Sequence, residues 1–375
     1  KYVTNGDGTY SITGIVADEF GPADVIMVTP GANEFTFADA GITIPVPSSV
    51  PTDMFAFDTT YNIPISSSTY SWAINAFALA DVSVTTQASD FEWGNFLAKC
   101  EEIKAASNGT IAPISMASQY LFPLVAVWQQ VYVAWYGAEQ LNQLFADKTG
   151  TMWSDNAMKA SIDYLRQLEP YFTPGWWTKS LYNTLYDWGS NTPGSYNQNK
   201  EVFLFVGQDF FDWFALNKAF ASSNVVYVNP SYRYDIMSFA GDGFSVTASG
   251  EHEKAAEFLN IVTTDEFQLS QSIPASATAA QQSTSPLGPI VGALFDNKNE
   301  NDGTVYSYLD RTLPQDLSYE ISAHIIDATL QSATNSDITT SLNTITQLVS
   351  IYYATNGEFG TYARKASSGT YVPAP

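Results

Sequence analysis

Two carboxylates stand beside glycines at the ends of short apolar runs. Asp242 lies between Gly241 and Gly243 at the start of "GFSVT", and Asp209 follows Gly207 at the end of "EVFLFVG". Short apolar runs bounded by turn residues read as buried strands, and open α/β sheets gather ligands beyond the carboxyl ends of their strands. Thr29, directly after "ADVIMV", marks another such end. Carboxylates placed this way accept hydrogen bonds from hydroxyl groups. As a pair such as Asp209 with Asp242 they would instead hydrolyse a glycosidic bond, which needs one carboxyl held protonated beside an ionised partner. Nothing in the local sequence creates that asymmetry, so binding is the reading and a secreted glycosidase the alternative. A Gly-Asp-Gly turn with no ligand is the plain reading of the same residues.

Other chemistries lack material. The two histidines are His252, in the exposed first turn of one expected helix, and His324, in the middle of another, so a Ser-His-Asp arrangement has no host. One cysteine, Cys100, allows no internal disulfide and, with two histidines, no structural zinc cluster. No metal and no cofactor are expected. A formal net charge of -23 disfavours nucleic acid, which is bound through clustered Lys and Arg. Charged residues make up only 14% of the chain, against the charge-rich surface of halophilic adaptation, so an acidic medium fits the acidity better.

The elements that position these groups follow from periodicity. A chain of 375 residues, 45% of them hydrophobic, exceeds what one core organises, and two lobes are expected. Residues 23–28 read as a parallel strand covered on both faces, with a helix to Gly41. "TTYNIPISSSTYSWAIN" reads as an extended crossover fixed by Pro64. Residues 89–107 read as a helix opened by a Ser89/Glu92 capping box, with Trp93, Phe96, Leu97, Cys100 and Ile103 on one face. Asn108-Gly109 ends it, and Asn108-Gly109-Thr110 is also a glycosylation sequon. "YLFPLVAVWQQVYVAWYGA" is interrupted by Pro123, Gln129 and Gln130 and reads as a buried helix rather than a membrane span. A helix over 154–168 is expected with Ser154 as its cap, and after "GFSVT" a helix capped by Ser249 leads into another opened by Thr263 with Glu266. Two more helices are expected between 317 and 354. The chain opens without a basic-then-apolar leader, so any export signal is taken as removed or never included.

In this order the segments resemble the extracytoplasmic solute-binding proteins of ABC importers, in the carbohydrate-binding, maltose- and glucose-binding-like branch. "GPADVIMVTPGANEFTFADAG" resembles the family's strand and helix with a Pro-Asp-Val core, with Ala23 where proline is usual. "YNIPISSSTYSWAIN" is similar to its crossover. "FEWGNFLAKCEEIKAASNGTIAPISM" and "GDGFSVTASGEHEKAAEFLNIVTTDEFQ" resemble two further segments in the family's order, and the likeness spans about residues 20–355.

The resemblance implies an α/β, two-lobed periplasmic-binding-protein-like (type II) fold with a ligand cleft between lobes. Asp242 takes the place of a ligand-hydroxyl acceptor, with Thr29 as a polar group on the neighbouring strand. "GQDFFDWF" is similar to a loop whose aromatic ring covers a sugar face, a role for Phe210 or Phe211 with Asp209 beside it. Trp177 matches a tryptophan before the family's next helix. Ser67, Ser68 and Gln119 are further cleft candidates. Family members begin with a strand-helix-strand unit of which most is missing here.

Lobe 1 is accordingly expected over residues 1–68 and 239–272, lobe 2 over 69–238 and 275–357, and a linker-like tail over 358–375. Crossovers are expected near 66–72, 238–246 and 270–276. The expected function is capture of a mono- or oligosaccharide outside the cell, by a monomer tethered at the surface of a bacterium or acid-living archaeon. Its partners are the sugar and the ABC transporter's membrane subunits. A cell-surface structural protein is a further alternative.

Overall fold

In a computed structural model the described residues are 2–4, 10–12, 23–55, 58–119, 121–181, 183–184, 188, 201–207, 225–228, 236–271, 275–276, 279, 305–330 and 338–355. The chain divides into two units, Lys1–Ser67 with Ala240–Ala293, and Ser68–Phe239 with Leu294–Pro375. The third passage, expected at 270–276, falls after Ala293 in this division, among residues outside those described. Elements are numbered along the chain.

The first unit is organised by a strand from late in the sequence. β3 (Val25–Val28), β4 (Thr43–Ile44) and β5 (Ile63–Pro64) all pair antiparallel with β11 (Gly243–Thr247), while β1 (Tyr2–Thr4) pairs with β2 (Tyr10–Ile12). In that register Phe244 faces Met27 and Ile63, and Val246 faces Val25 and Ile44. The parallel, doubly covered strand expected at 23–28 is therefore corrected. β3 is antiparallel, it ends the sheet path, and Met27 is 59% exposed. An apolar run shows that a strand is sticky but not which distant strand it pairs with.

Helix α1 (Ala32–Asp39) lies between β3 and β4, and α7 (His252–Val262) and α8 (Asp265–Leu269) follow β11. Ala255, Leu259 and Val262 recur on one face of α7 and bury with Val50, Ile63 and Val246, and Phe244 meets Phe258 edge-on at 4.9 Å. The caps differ from expectation. Glu251, not Ser249, precedes α7, and its N–H donates to Asp24 Oδ1 at 2.6 Å. Thr264, not Thr263, caps α8 by accepting from Phe267 N at 3.2 Å.

The second unit is a mixed sheet in the order β12-β10-β6-β8-β7, with β9 also pairing β6. Its strands are β6 (Ser67–Asn75), β7 (Ala112–Ser115), β8 (Glu201–Gly207), β9 (Val225–Val228), β10 (Ile236–Ala240) and β12 (Val305–Tyr306). β8 runs antiparallel to β6 and parallel to β7. Alternation along β6 and β8 brings Trp72 against Phe205 at 5.1 Å, and helix α3 (Trp93–Ala106) lays Phe96 onto Trp72 at 4.9 Å. Cys100 and Ile103 are fully buried on the same helix. Burying each such large side chain contributes about 1.5–3 kcal/mol.

Helix α2 (Ala76–Asp81) follows β6, and α4 (Phe122–Tyr136), α5 (Ala138–Ala146) and α6 (Asn156–Leu168) lie between β7 and β8. Gln129 and Gln130, buried within α4, hold β12 and the residues just after it in place. Gln129 Nε2 donates to Ser307 O at 3.1 Å, Leu309 N donates to Gln129 Oε1 at 2.9 Å, and Tyr306 Oη donates to Gln130 Oε1 at 3.2 Å. The unit closes with α9 (Leu309–Thr312), α10 (Gln315–Thr329) and α11 (Ile338–Ala354). The Ser89/Glu92 box expected for α3 is replaced by a 3-10 turn, Ala88–Phe91, with Glu92 preceding the helix and Asp90 Oδ2 accepting from Gln87 N at 2.9 Å. α6 is capped by Asp155 rather than Ser154, its Oδ1 accepting from Met158 N at 2.8 Å.

Candidate functional site

The Gly-Asp-Gly sequence is explained by what crowds it. A β-carbon on Gly243 would lie 1.9 Å from Asn62 Oδ1 and 2.8 Å from Ile63 O, and one on Gly241 would lie 2.2 Å from Ser66 Oγ. Gly243 admits glycine alone, blocked by backbone as well as by Asn62, and Gly241 would require the Ser66 hydroxyl to turn away, because the segment leaving the first unit runs against the segment returning to it. Gly241 N donates to Ser66 O at 2.8 Å and Ile65 N donates to Asp242 O at 2.9 Å, which locks the two passages together. Asp242 is left as the one side chain at this crossing, exposed, at the amino end of β11. Thr29, just past the carboxyl end of β3, donates from Oγ1 to Asp242 Oδ1 at 3.3 Å. The two residues expected to act together are thus brought together, with further lone pairs of the carboxylate open to a hydroxyl donor.

Two residues beneath this pair were not singled out in the sequence. Asn62 Nδ2 donates to Val28 O at 3.3 Å and to Ser245 Oγ at 3.1 Å, tying the ends of β3 and β11 to the outgoing chain. Glu34, in the first turn of α1, is 2% exposed and accepts from Gly31 N at 3.1 Å and Tyr61 N at 3.3 Å. Burial pushes its carboxyl up to about 7 and Asp58 adds to the rise, while the two backbone donors oppose it. The only signal in the sequence was their neighbourhood, Glu34 three residues after a glycine turn and Asn62 in the "YNIP" crossover.

In the second unit the carboxyl end of β8 faces the amino end of β6, Gly207 opposite Tyr70. Ser67 and Ser68 lie at that amino end, where both are buried and already engaged. Gln119 follows β7 and is half-buried, and Ser118 N donates to Trp176 O at 2.9 Å and Gln119 N to Lys179 O at 3.2 Å. These bonds bring the Trp177 segment alongside Gln119, with half-buried Trp177 edge-on to Trp176 at 6.0 Å. Leu121, next in line, holds φ at +70°, a strained left-handed conformation for a branched side chain. Asp209, Phe210 and Phe211 lie outside the described residues.

Tyr308, after β12, stacks on Tyr70 at 6.2 Å and is fully packed, so it serves the core. Asp310 and Arg311 follow it, Nε to Oδ1 at 3.7 Å, an adjacent charged pair in a charge-poor chain. No group of three or more His, Cys, Asp or Glu side chains among the described residues is arranged to hold a metal ion, and no helix among them is long and apolar enough to cross a membrane.

No protein-family model and no curated protein matches the chain by sequence. Solved structures do match its fold. The bacterial solute receptor AcbH, described by its exclusive preference for β-D-galactopyranose, is 14% identical with a TM-score of 0.63, covering 89% of this chain and 85% of its own. A chitin oligosaccharide binding protein is 16% identical at a TM-score of 0.65, with 88% and 84% covered. An ABC substrate-binding protein from Listeria monocytogenes in complex with cycloalternan is 14% identical at 0.62, with 92% and 87% covered. The fold is the α/β, two-lobed, type II periplasmic-binding-protein-like fold.

Proposed function

We propose that this chain is the extracytoplasmic substrate-binding component of an ABC transporter, which captures a neutral mono- or oligosaccharide and delivers it to the membrane subunits. The observation that carries this reading is the Thr29–Asp242 pair: an exposed carboxylate between two closely crowded glycines at the ends of adjacent strands. Carboxylates and planar aromatic faces are what a pyranose requires, the first for its hydroxyls and the second for its C–H face. Trp177 and Gln119 in the second unit, with Asp209, Phe210 and Phe211 in the loop after β8, are the further ligand contacts proposed. Ser67 and Ser68, buried and engaged at the start of β6, contribute at most through backbone groups. The matched structures support the reading, since each is described as a sugar receptor or binding protein.

The test is titration of the purified chain with a panel of mono- and disaccharides and longer oligosaccharides, read by tryptophan fluorescence and calorimetry. Saturable binding without turnover is the expected result. Release of a smaller sugar from an oligosaccharide would identify a glycosidase, and no heat or fluorescence change with any sugar would remove the binding function.

A further inference from the structure

The proposed function leaves one motif unused. Asn108-Gly109-Thr110 is the only Asn-x-Ser/Thr tripeptide in the chain without proline at its centre. Helix α3 ends just before it, where Asn108 N donates to Ala105 O at 3.1 Å and Gly109 N to Lys104 O at 2.8 Å. Asn108 at φ +51° and Gly109 at φ +75° then turn the chain through left-handed conformations, with both residues exposed. The Thr110 hydroxyl donates to Ser107 O at 2.7 Å, which fixes the tripeptide as a rigid turn.

A pocket of about 480 Å³ opens directly beside this turn, bounded by Lys104, Gly109, Thr110, Pro170, Tyr171 and Lys179. None of the proposed ligand-binding residues lines it. Its volume falls in the range of small-molecule pockets, roughly 300–1,000 Å³. The lip is open at Gly109, where an added β-carbon would meet nothing within 4 Å. Lys179 is committed at 2.7 Å to Glu201, which is 2% exposed and also accepts from Thr173 Oγ1 at 2.9 Å. Lys104 lines the pocket, donates to Pro170 O at 3.2 Å and lies 5.2 Å from the centre of the Tyr171 ring, and its ammonium carries three N–H donors, of which this bond uses one.

We propose that Asn108 is an N-glycosylation acceptor and that the first pyranose of its glycan packs into this neighbouring pocket. The sugar's oxygens take the open Lys104 donors, and its C–H face lies on Pro170 and Tyr171. The donor class is a lipid-phosphate-linked oligosaccharide. Asn108 Nδ2 forms the bond to the anomeric carbon, the carbon–oxygen bond to phosphate breaks, the lipid phosphate leaves with the electron pair, and one Nδ2 proton passes to the transferase's base. The proposal rests on the extracytoplasmic location in the proposed function, but sugar capture is measured separately and stands or falls without it.

The experiment secretes the full chain from a glycosylating host beside Asn108→Gln and Thr110→Ala. Site-localised mass spectrometry should find one glycan, at Asn108, absent from both variants. An amine-reactive label should modify Lys104 several-fold more slowly in the glycosylated chain than in either variant, while Lys159, half-exposed on α6, reacts at the same rate in all three. An unmodified Asn108 overturns the acceptor, and equal Lys104 rates overturn the seating. Oligosaccharide titration of the variants should match the parent chain, which keeps failure here distinct from failure of the sugar-binding reading.

Discussion

The Oδ1 atom of Asn62 occupies space that a β-carbon on Gly243 would need, 1.9 Å from where that carbon would be built. Asn62 is fully buried and held from its other end by Val28 O and Ser245 Oγ, so it has little freedom to retreat. Gly243→Ala is expected to destabilise the chain by about 1–3 kcal/mol through overpacking against backbone and a pinned amide. Urea denaturation followed by circular dichroism measures it, and a midpoint equal to the parent's would show that the crossing yields freely.

Asp242 is exposed, so its loss should touch binding rather than folding. Asp242→Ala is expected to weaken sugar affinity by about 1–3 kcal/mol, the value of hydrogen bonds to a charged acceptor, with the melting temperature unchanged. Thr29→Val, which removes the donor that orients the carboxylate, should give a smaller loss of the same sign. Calorimetric titration of both variants with the best sugar of the panel decides it, and unchanged affinity for Asp242→Ala would take this residue out of the site.

Glu34 links stability to pH. Its carboxyl is raised from 4.5 to about 7 in the folded chain. Between those values the folded chain holds a proton that the unfolded chain has released, so stability falls as pH rises through the window. The slope approaches about 1.4 kcal/mol per pH unit for one group. Buried Glu201 and half-buried Glu169 are raised by burial too, against Lys179 and hydroxyl donors for the first and Arg166 for the second, and they share the sign. Denaturation midpoints at pH 5 and pH 7 should differ less in Glu34→Gln than in the parent; an identical difference would assign the slope to other carboxyls.

Glu201 is a buried carboxylate held by one cation. Lys179→Met leaves it without that partner and is expected to cost about 3–5 kcal/mol. Adding Glu201→Gln should restore much of the loss, since the neutral amide needs no cation and its single oxygen can still accept from one of the two hydroxyls, Ser115 or Thr173, that donate to separate carboxylate oxygens. Equal stability of the single and double variants would show that the ion pair is not the cause.

Asp24 closes the amino end of α7 from the far side of β3. Asp24→Ala should cost about 0.5–2 kcal/mol, as a lost N-cap does. Hydrogen exchange of the first turn of α7 is the direct measure, and protection equal to the parent's would assign the cap elsewhere.

The elements that were legible in the sequence are those whose stabilisation is local. The stripe of Trp93, Phe96, Cys100 and Ile103 gave α3, and the apolar run interrupted by Gln129 and Gln130 gave a buried helix whose amides find carbonyl, N–H and phenol partners. Pairing partners were not legible. Val25–Val28 carries no mark of being antiparallel to a strand that begins after Asp242, 213 residues beyond Thr29. The caps failed for the same reason. Ser249 is a good cap by type, yet Asp24, remote in sequence, supplies the bond. In the candidate site, strand-end logic found Thr29 and the family resemblance pointed to Asp242, while Glu34 and Asn62 escaped because their roles depend on buried neighbours brought in by folding.

Because β3, β4 and β5 all find their ladder on β11, the four-stranded sheet of the first unit cannot form until that late strand has been made. At about 5–20 residues per second a ribosome needs on the order of 10 to 45 s to get from the end of β3 to the end of β11. Through that interval β3, β4 and β5 lack the strand on which all three depend, so this part of the molecule matures only after most of the second unit has been synthesised.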